Sequence, residues 1–152
     1  MDQREHLLIL ADYEKWANEQ WLNFFTEAPS HPGGGQFAAK ADEVMEHIIQ
    51  CYWHWFNLMS GSNVELIGDR MVDMTAQHAK MRDYISTCDL DAKVQRSWPE
   101  YGTYEWKTSQ LIQHALCHGS YHRGQIRALA EAHGFEDWPD TDFEAFAGTK
   151  IG

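Results

Sequence analysis

Between Gln3 and Glu27 the apolar residues Leu7, Leu10, Ala11, Tyr13, Trp16, Ala17, Trp21, Phe24 and Phe25 recur every three or four positions. That period predicts one long amphipathic helix, because residues three and four apart share a helix face. Glu5, Asp12, Glu14, Lys15 and Glu19 make up its polar face. A stripe this rich in aromatic rings cannot stay bare in water, so the chain must fold other elements over it.

The rest of the chain supplies those elements. Pro29, Pro32 and the run Gly33-Gly34-Gly35 interrupt the pattern and predict a loop. The break is no domain boundary, since the first helix cannot bury its face alone. One domain over residues 1–152 is the expectation for a chain of this length. A second helix is predicted over about Ala39 to Met59, with Val44, Ile48, Cys51, Trp55, Phe56 and Met59 inward. Asp42, Glu43 and Glu46 would load its early turns, where negative charge suits the helix dipole. Gly61-Ser62-Asn63 ends it, and residues 61–72 read as a crossing segment too long for a tight helical hairpin. A third helix is predicted from about Asp73 to Cys88, capped by Asp73 or Thr75, with Met74, Met81, Tyr84 and Ile85 inward.

Residues 89–107 change character. Val94 to Trp98 alternate loosely, Pro99-Glu100-Tyr101-Gly102 turns, and Thr103-Tyr104-Glu105-Trp106 is β-prone, which predicts a small hairpin. Thr108 or Ser109 would then cap a fourth helix reaching His133, with Gly134 just past its end. Leu111, Ile112, Ala115, Leu116, Ile126, Leu129 and Ala130 are its packing positions. The tail from Phe135 to Gly152, with Trp138, Phe143 and Phe146, is expected to pack irregularly over a bundle end. The architecture is therefore all-α: a four-helix bundle with a long crossing between helices 2 and 3 and a small β-hairpin before helix 4.

Chemistry should be sought among the nine histidines. His114, His118 and His122 stand four apart on the fourth helix, so neighbouring pairs point two imidazoles to one side. A bundle helix that turns several imidazoles towards a neighbour must satisfy their nitrogens, and a metal ion satisfies two at once. Two histidines of one helix and one of another give the open three-ligand pattern of catalytic metals. Spacing does not select the pair on helix 4. His47 on helix 2 is a candidate third ligand, although a lone histidine on an apolar face is more often a hydrogen-bonded core residue. His54 reads as a bundle-end residue. His6, His31, His78 and His133 lie on exposed or terminal stretches and receive no role. Cys51 and Cys117 lie near the candidate ligands, where thiolate ligation competes with the commoner buried structural thiol. Tyr13, Trp16, Trp53 and Tyr121 are pocket candidates, against the usual reading of such stripes as core.

Charge and cysteine usage bound the partners. The net charge is −11, from 12 Lys and Arg against 23 Asp and Glu, which repels a phosphate backbone. No nucleic-acid partner is expected. Three cysteines at irregular spacing suggest a reducing, cytoplasmic setting. The N-terminus shows no signal-peptide pattern, and no apolar run is long enough for a membrane helix.

Several motifs together resemble the DinB/YfiT-like superfamily. Tyr13-Glu14-Lys15-Trp16-Ala17-Asn18 resembles its Tyr-x-x-Trp-Ala-Asn element, and Glu46-His47-Ile48 its single-histidine element. The stretch from His114 through His118 to His122-Arg123-Gly124-Gln125-Ile126 is similar to its signature helix. Trp138-Pro139-Asp140-Thr141-Asp142-Phe143 resembles its Pro-x-x-Asp-Phe tail. The resemblance implies the same bundle with a long helix 2–3 crossing, commonly as a homodimer. It implies a divalent metal, zinc or nickel, on His47, His118 and His122, with His114 as a structural histidine. It also implies a metal-dependent S-transferase using a low-molecular-weight thiol such as bacillithiol, mycothiol or glutathione. Some relatives isomerise maleylpyruvate with a thiol cofactor. A metal-dependent hydrolase acting through metal-bound water, and a non-catalytic metal-binding stress protein, are the alternatives. No residue stands out as a separate general base, and the catalytic residues are left unknown.

Overall fold

The computed structural model describes residues 1–149, and the last part of the expected tail, 150–152, lies outside the described residues. Helix α1 runs Gln3–Glu27, with the Asp2 carboxylate accepting from Glu5 N at its start. α2 is Gly34–Ser60, α3 Arg70–Thr87 and α4 Thr108–Ala132. Between α3 and α4 lies the hairpin of β1 (Lys93–Trp98) and β2 (Gly102–Lys107). A short α5, Phe143–Ala147, comes last. The fold is mainly helical, as expected, with four main helices and the hairpin in its predicted place.

α2 lies along α4, and α1 packs against α3 and α4. The core between them holds Leu7, Trp21, Phe37, Ile49, Met81 and Ile126, all essentially inaccessible. α1 and α3 run antiparallel. Arg4 at the start of α1 reaches the carbonyls of Ile85 and Cys88, and Asp12 binds His78 and Arg82. The Arg4 cation thus satisfies carbonyls at the C-terminal end of α3, where the helix dipole favours positive charge.

Several boundaries and faces depart from the sequence reading. α2 begins five residues earlier, inside the glycine run. Gly33 takes φ 78° as its N-cap, and a Cβ on Gly34 would lie 1.7 Å from the Ala28 carbonyl oxygen. The run is therefore a close backbone approach and not a plain breaker. Asp42 and Glu46 consequently sit well inside α2, where they hold Arg70 of α3 at 2.9–3.2 Å. α3 begins at Arg70 because Asp69 caps it, its carboxylate accepting from Val72 N. Asp73 is instead buried, and its two oxygens accept from Ile67 N and Gly68 N, pinning the crossing segment.

The remaining differences concern faces. α2 buries Met45, Ile48, Ile49, Tyr52, Trp53 and Phe56, whereas Val44, Cys51, Trp55 and Met59 are only half-buried. α4 is entered through Lys107, whose N–H donates to Gln110 Oε1. Thr108 and Ser109 are buried in its first turn and are not caps. The tail is more regular than expected: Phe143 and Phe146 of α5 pack on Tyr13, and Phe146 also on Trp16. Of the histidines read as exposed or terminal, His31, His78 and His133 are half-buried, and His31 stacks on Phe135.

The hairpin closes on its own base: Thr108 N donates to Ala92 O and Ser109 N to Leu90 O. Its register pairs Val94 with Trp106 and Arg96 with Tyr104. Alternation therefore gathers Trp98, Tyr104 and Trp106 on one face. Trp106 meets Trp55 of α2 on that face, with ring centroids 6.1 Å apart. Among the described residues, no helix is long and apolar enough to cross a membrane.

Candidate metal centre

The facing sides of α2 and α4 carry the cluster. His47, Cys51 and Trp55 succeed one another at four-residue steps along α2, and His114, His118 and His122 do so along α4. The helices run antiparallel, so His47 meets His118 and His122 while Trp55 meets His114. Ring centroids are 5.4 Å apart for His47–His118, 4.5 Å for His47–His122 and 4.4 Å for His118–His122. His118 Nε2 lies 3.1 Å from His122 Nε2. Cys51 Sγ lies 3.6 Å and 3.7 Å from the two nitrogens of His47. His47, Cys51 and His118 each offer one donor atom, all within 4.8 Å of one another.

Protonation suits ligation. Burial, then the rings of His122, His114 and His47, hold His118 down to about 4, so at neutral pH it is an uncharged base. His122 Nδ1 lies 2.6 Å from Gln125 Oε1, an oxygen that only accepts. The His122 proton is thereby drawn to Nδ1, and its Nε2 lone pair faces His118. Such a bond orients metal-ligating histidines in general. Two imidazole nitrogens meeting this way need a shared proton or a cation between them.

The donor set fits a divalent metal on size. Zinc bonds of about 2.0–2.1 Å to nitrogen and 2.3 Å to sulfur place tetrahedral donors roughly 3.3 Å (N to N) and 3.6 Å (N to S) apart. The observed 3.1 Å between His118 and His122, and 3.6 Å from Cys51 to His47, are close to those edges. Imidazole and thiol donors suit zinc, nickel, copper and iron better than magnesium or calcium.

His114 stands apart, although it shares the stripe. Its ring is 5.7 Å from that of His118 and meets Trp55 edge-on at 4.9 Å. His54 is exposed and bonds Arg96 of the hairpin. Of the pocket candidates, Trp53 is core and Tyr121 stays exposed with its ring 5.0 Å from His122. Tyr13 instead lines a cleft of about 430 Å³ on the α1 side of α4, with Trp21, Ser120, Arg123, Trp138 and Thr141. None of the clustered histidines borders that cleft.

Two motif residues act where the sequence reading gave them no definite part. Gln125 orients His122, a role whose only sequence signal was the three-residue step between them. Arg123 turns to α1 and is fully buried. It binds Glu14 Oε2 and Asn18 Oδ1 at 2.7 Å each and Ser120 Oγ at 2.9 Å. Glu14, read as solvent-facing, is 2% exposed for this reason. The pair packs directly against Gly119, where a Cβ would lie 1.8 Å from Glu14 Oε1. One side of α4 thus carries the donors and the other side locks the helix to α1.

Comparison with known proteins identifies the family. A family profile described as "DinB family" matches residues 1–149. The chain is 26% identical to Protein DinB of Bacillus subtilis (strain 168), covering 88% of this chain and 89% of that relative. No solved structure matches. The chain belongs to the DinB family.

Proposed function

We propose that this DinB-family chain holds a divalent cation, zinc or nickel, on His47, His118 and His122, and transfers a low-molecular-weight thiol to an electrophile. The observation that carries the reading is the convergence of three imidazoles from two helices, two of their nitrogens 3.1 Å apart and one ring kept neutral well below pH 7. A cation held there supplies Lewis acidity that makes a bound thiol a thiolate near neutral pH. The chain's own residues do the rest. Gln125 fixes the tautomer of His122. The Arg123–Glu14–Asn18 network fixes the register of α4, and with it the position of His118 and His122. His47 and Tyr121 are exposed, so the cluster is open to a thiol from solvent. The partners of this reading are small molecules and a second copy of the chain, and nucleic acid is not among them.

The test uses protein loaded with zinc or nickel, monochlorobimane as electrophile, and bacillithiol, mycothiol and glutathione in turn. Thiol-dependent product that disappears in His118→Ala is the expected result. Full metal occupancy with no product from any thiol overturns the transferase reading. Product that needs no thiol points to water as nucleophile and overturns it equally.

A further inference from the structure

We infer that Cys51 is a fourth donor to the metal, so that the site is a three-nitrogen, one-sulfur set and not a three-histidine set. This rests on the metal reading above and extends it. Cys51 lies one turn beyond His47 on the same side of α2, and its Sγ is 3.6 Å and 3.7 Å from the His47 nitrogens. One imidazole offers an ion a single nitrogen, so one of these distances is the relevant one; that to Nε2, 3.6 Å, matches the roughly 3.6 Å edge expected between nitrogen and sulfur on one tetrahedral ion. Sγ, a His47 nitrogen and a His118 nitrogen all fall within 4.8 Å of one another, and His122 joins through its 3.1 Å approach to His118.

The other cysteines show what a different role looks like. Cys88 is packed against the hydrophobic core. Cys117 precedes His118 on α4 but is exposed. Cys51 is half-buried, is no member of the core cluster, and has histidine nitrogens as its polar neighbours.

On binding, the Cys51 S–H bond breaks, its proton leaves to solvent, and a sulfur–metal bond forms. The ligand is then a thiolate, and one negative charge offsets part of the dication. A thiolate donor selects zinc, nickel, cobalt or copper and rejects magnesium, calcium and manganese. Four protein donors fill a tetrahedral zinc ion, so an incoming thiol would bind by displacing Cys51 or by raising the coordination to five, as catalytic zinc sites do in the transition state.

Cobalt(II) titration of the metal-free full chain tests this with a readout independent of activity. Cobalt on nitrogen donors gives weak visible bands, and a cobalt–thiolate bond adds a strong near-ultraviolet charge-transfer band. The wild type should show both at one equivalent. Cys51→Ser should keep the visible bands and lose the near-ultraviolet band, whereas Cys88→Ser and Cys117→Ser should keep both. A wild type that binds a full equivalent without the near-ultraviolet band overturns the role of Cys51 and leaves the histidines standing. Persistence of the band in Cys51→Ser does the same. Failure to bind cobalt at all overturns both readings. Iodoacetamide mapping adds a check on unmutated protein: zinc should slow alkylation of Cys51 and leave Cys117 unchanged, and equal rates at Cys51 with and without zinc overturn the assignment.

Discussion

Replacing Gly119 by alanine should destabilise the protein, although alanine is the better helix former. On propensity alone the change would stabilise an α-helix by about 1 kcal/mol. The new Cβ, however, would lie 1.8 Å from Glu14 Oε1, 2.7 Å from Glu14 Cδ and 2.8 Å from Arg123 Nη1. Glu14 is not free to swing aside, because Arg123 and Asn18 hold it and both it and Arg123 are about 3% exposed. If the helices part to make room, overpacking costs about 1–3 kcal/mol. If the pair breaks, an uncompensated buried charge costs about 3–5 kcal/mol. Set against the propensity gain, the net loss is about 0–2 kcal/mol if the helices part and about 2–4 kcal/mol if the pair breaks, with a melting temperature lower by roughly 2–4 °C for each kcal/mol. Gly124 is the internal control: it lies on the same helix, and its Cβ would meet nothing within 4 Å. Gly124→Ala should gain up to about 1 kcal/mol. Urea unfolding of both variants decides the matter. A Gly119→Ala protein as stable as Gly124→Ala would refute the claim that Glu14 and Arg123 lock α4 to α1.

The same geometry sets three more outcomes. His47→Ala, His118→Ala and His122→Ala should each lower the metal content of purified protein, while His114→Ala should keep a full equivalent; elemental analysis measures all four. Gln125→Ala should weaken metal affinity about 10–100-fold by releasing the His122 ring, read by chelator competition, with little change in melting temperature. Asp73→Ala should cost about 2–4 kcal/mol in urea unfolding, because Ile67 N and Gly68 N both lose their acceptor.

Much of the bundle is legible in the chain because its signals are local. Helix α1 ends where the apolar period ends, and Gly134, at φ 82°, stops α4 where a left-handed residue is needed. The hairpin shows through its alternation and turn residues. Local signals mislead where a distant partner changes their meaning. The glycine run reads as a breaker until Ala28 is seen against Gly34. Asp73 reads as a cap until it is seen holding the crossing segment. Glu14 reads as solvated because Arg123, which neutralises it, is more than a hundred residues away. The histidines are a mixed case. Their four-residue steps announce a shared face, but which two meet His47 depends on where α2 crosses α4. Only the family resemblance separated His118 and His122 from His114 in advance. Cys51 was visible as a neighbour of His47, yet nothing in the spacing says whether its sulfur turns to core or cluster.

The hairpin's closure on its own base has a consequence for how such chains diversify. Because Thr108 and Ser109 bond back to Ala92 and Leu90, the chain leaves the bundle and returns to nearly the same place. Lengthening, shortening or exchanging β1 and β2 would leave the ends of α3 and α4 where they are. The inserted piece still touches Trp55, which touches His114, beside the donor cluster. It is a replaceable cassette at the rim of the site: editing fifteen or so residues, roughly a loop's worth, would remodel what approaches the histidine cluster without moving its histidines.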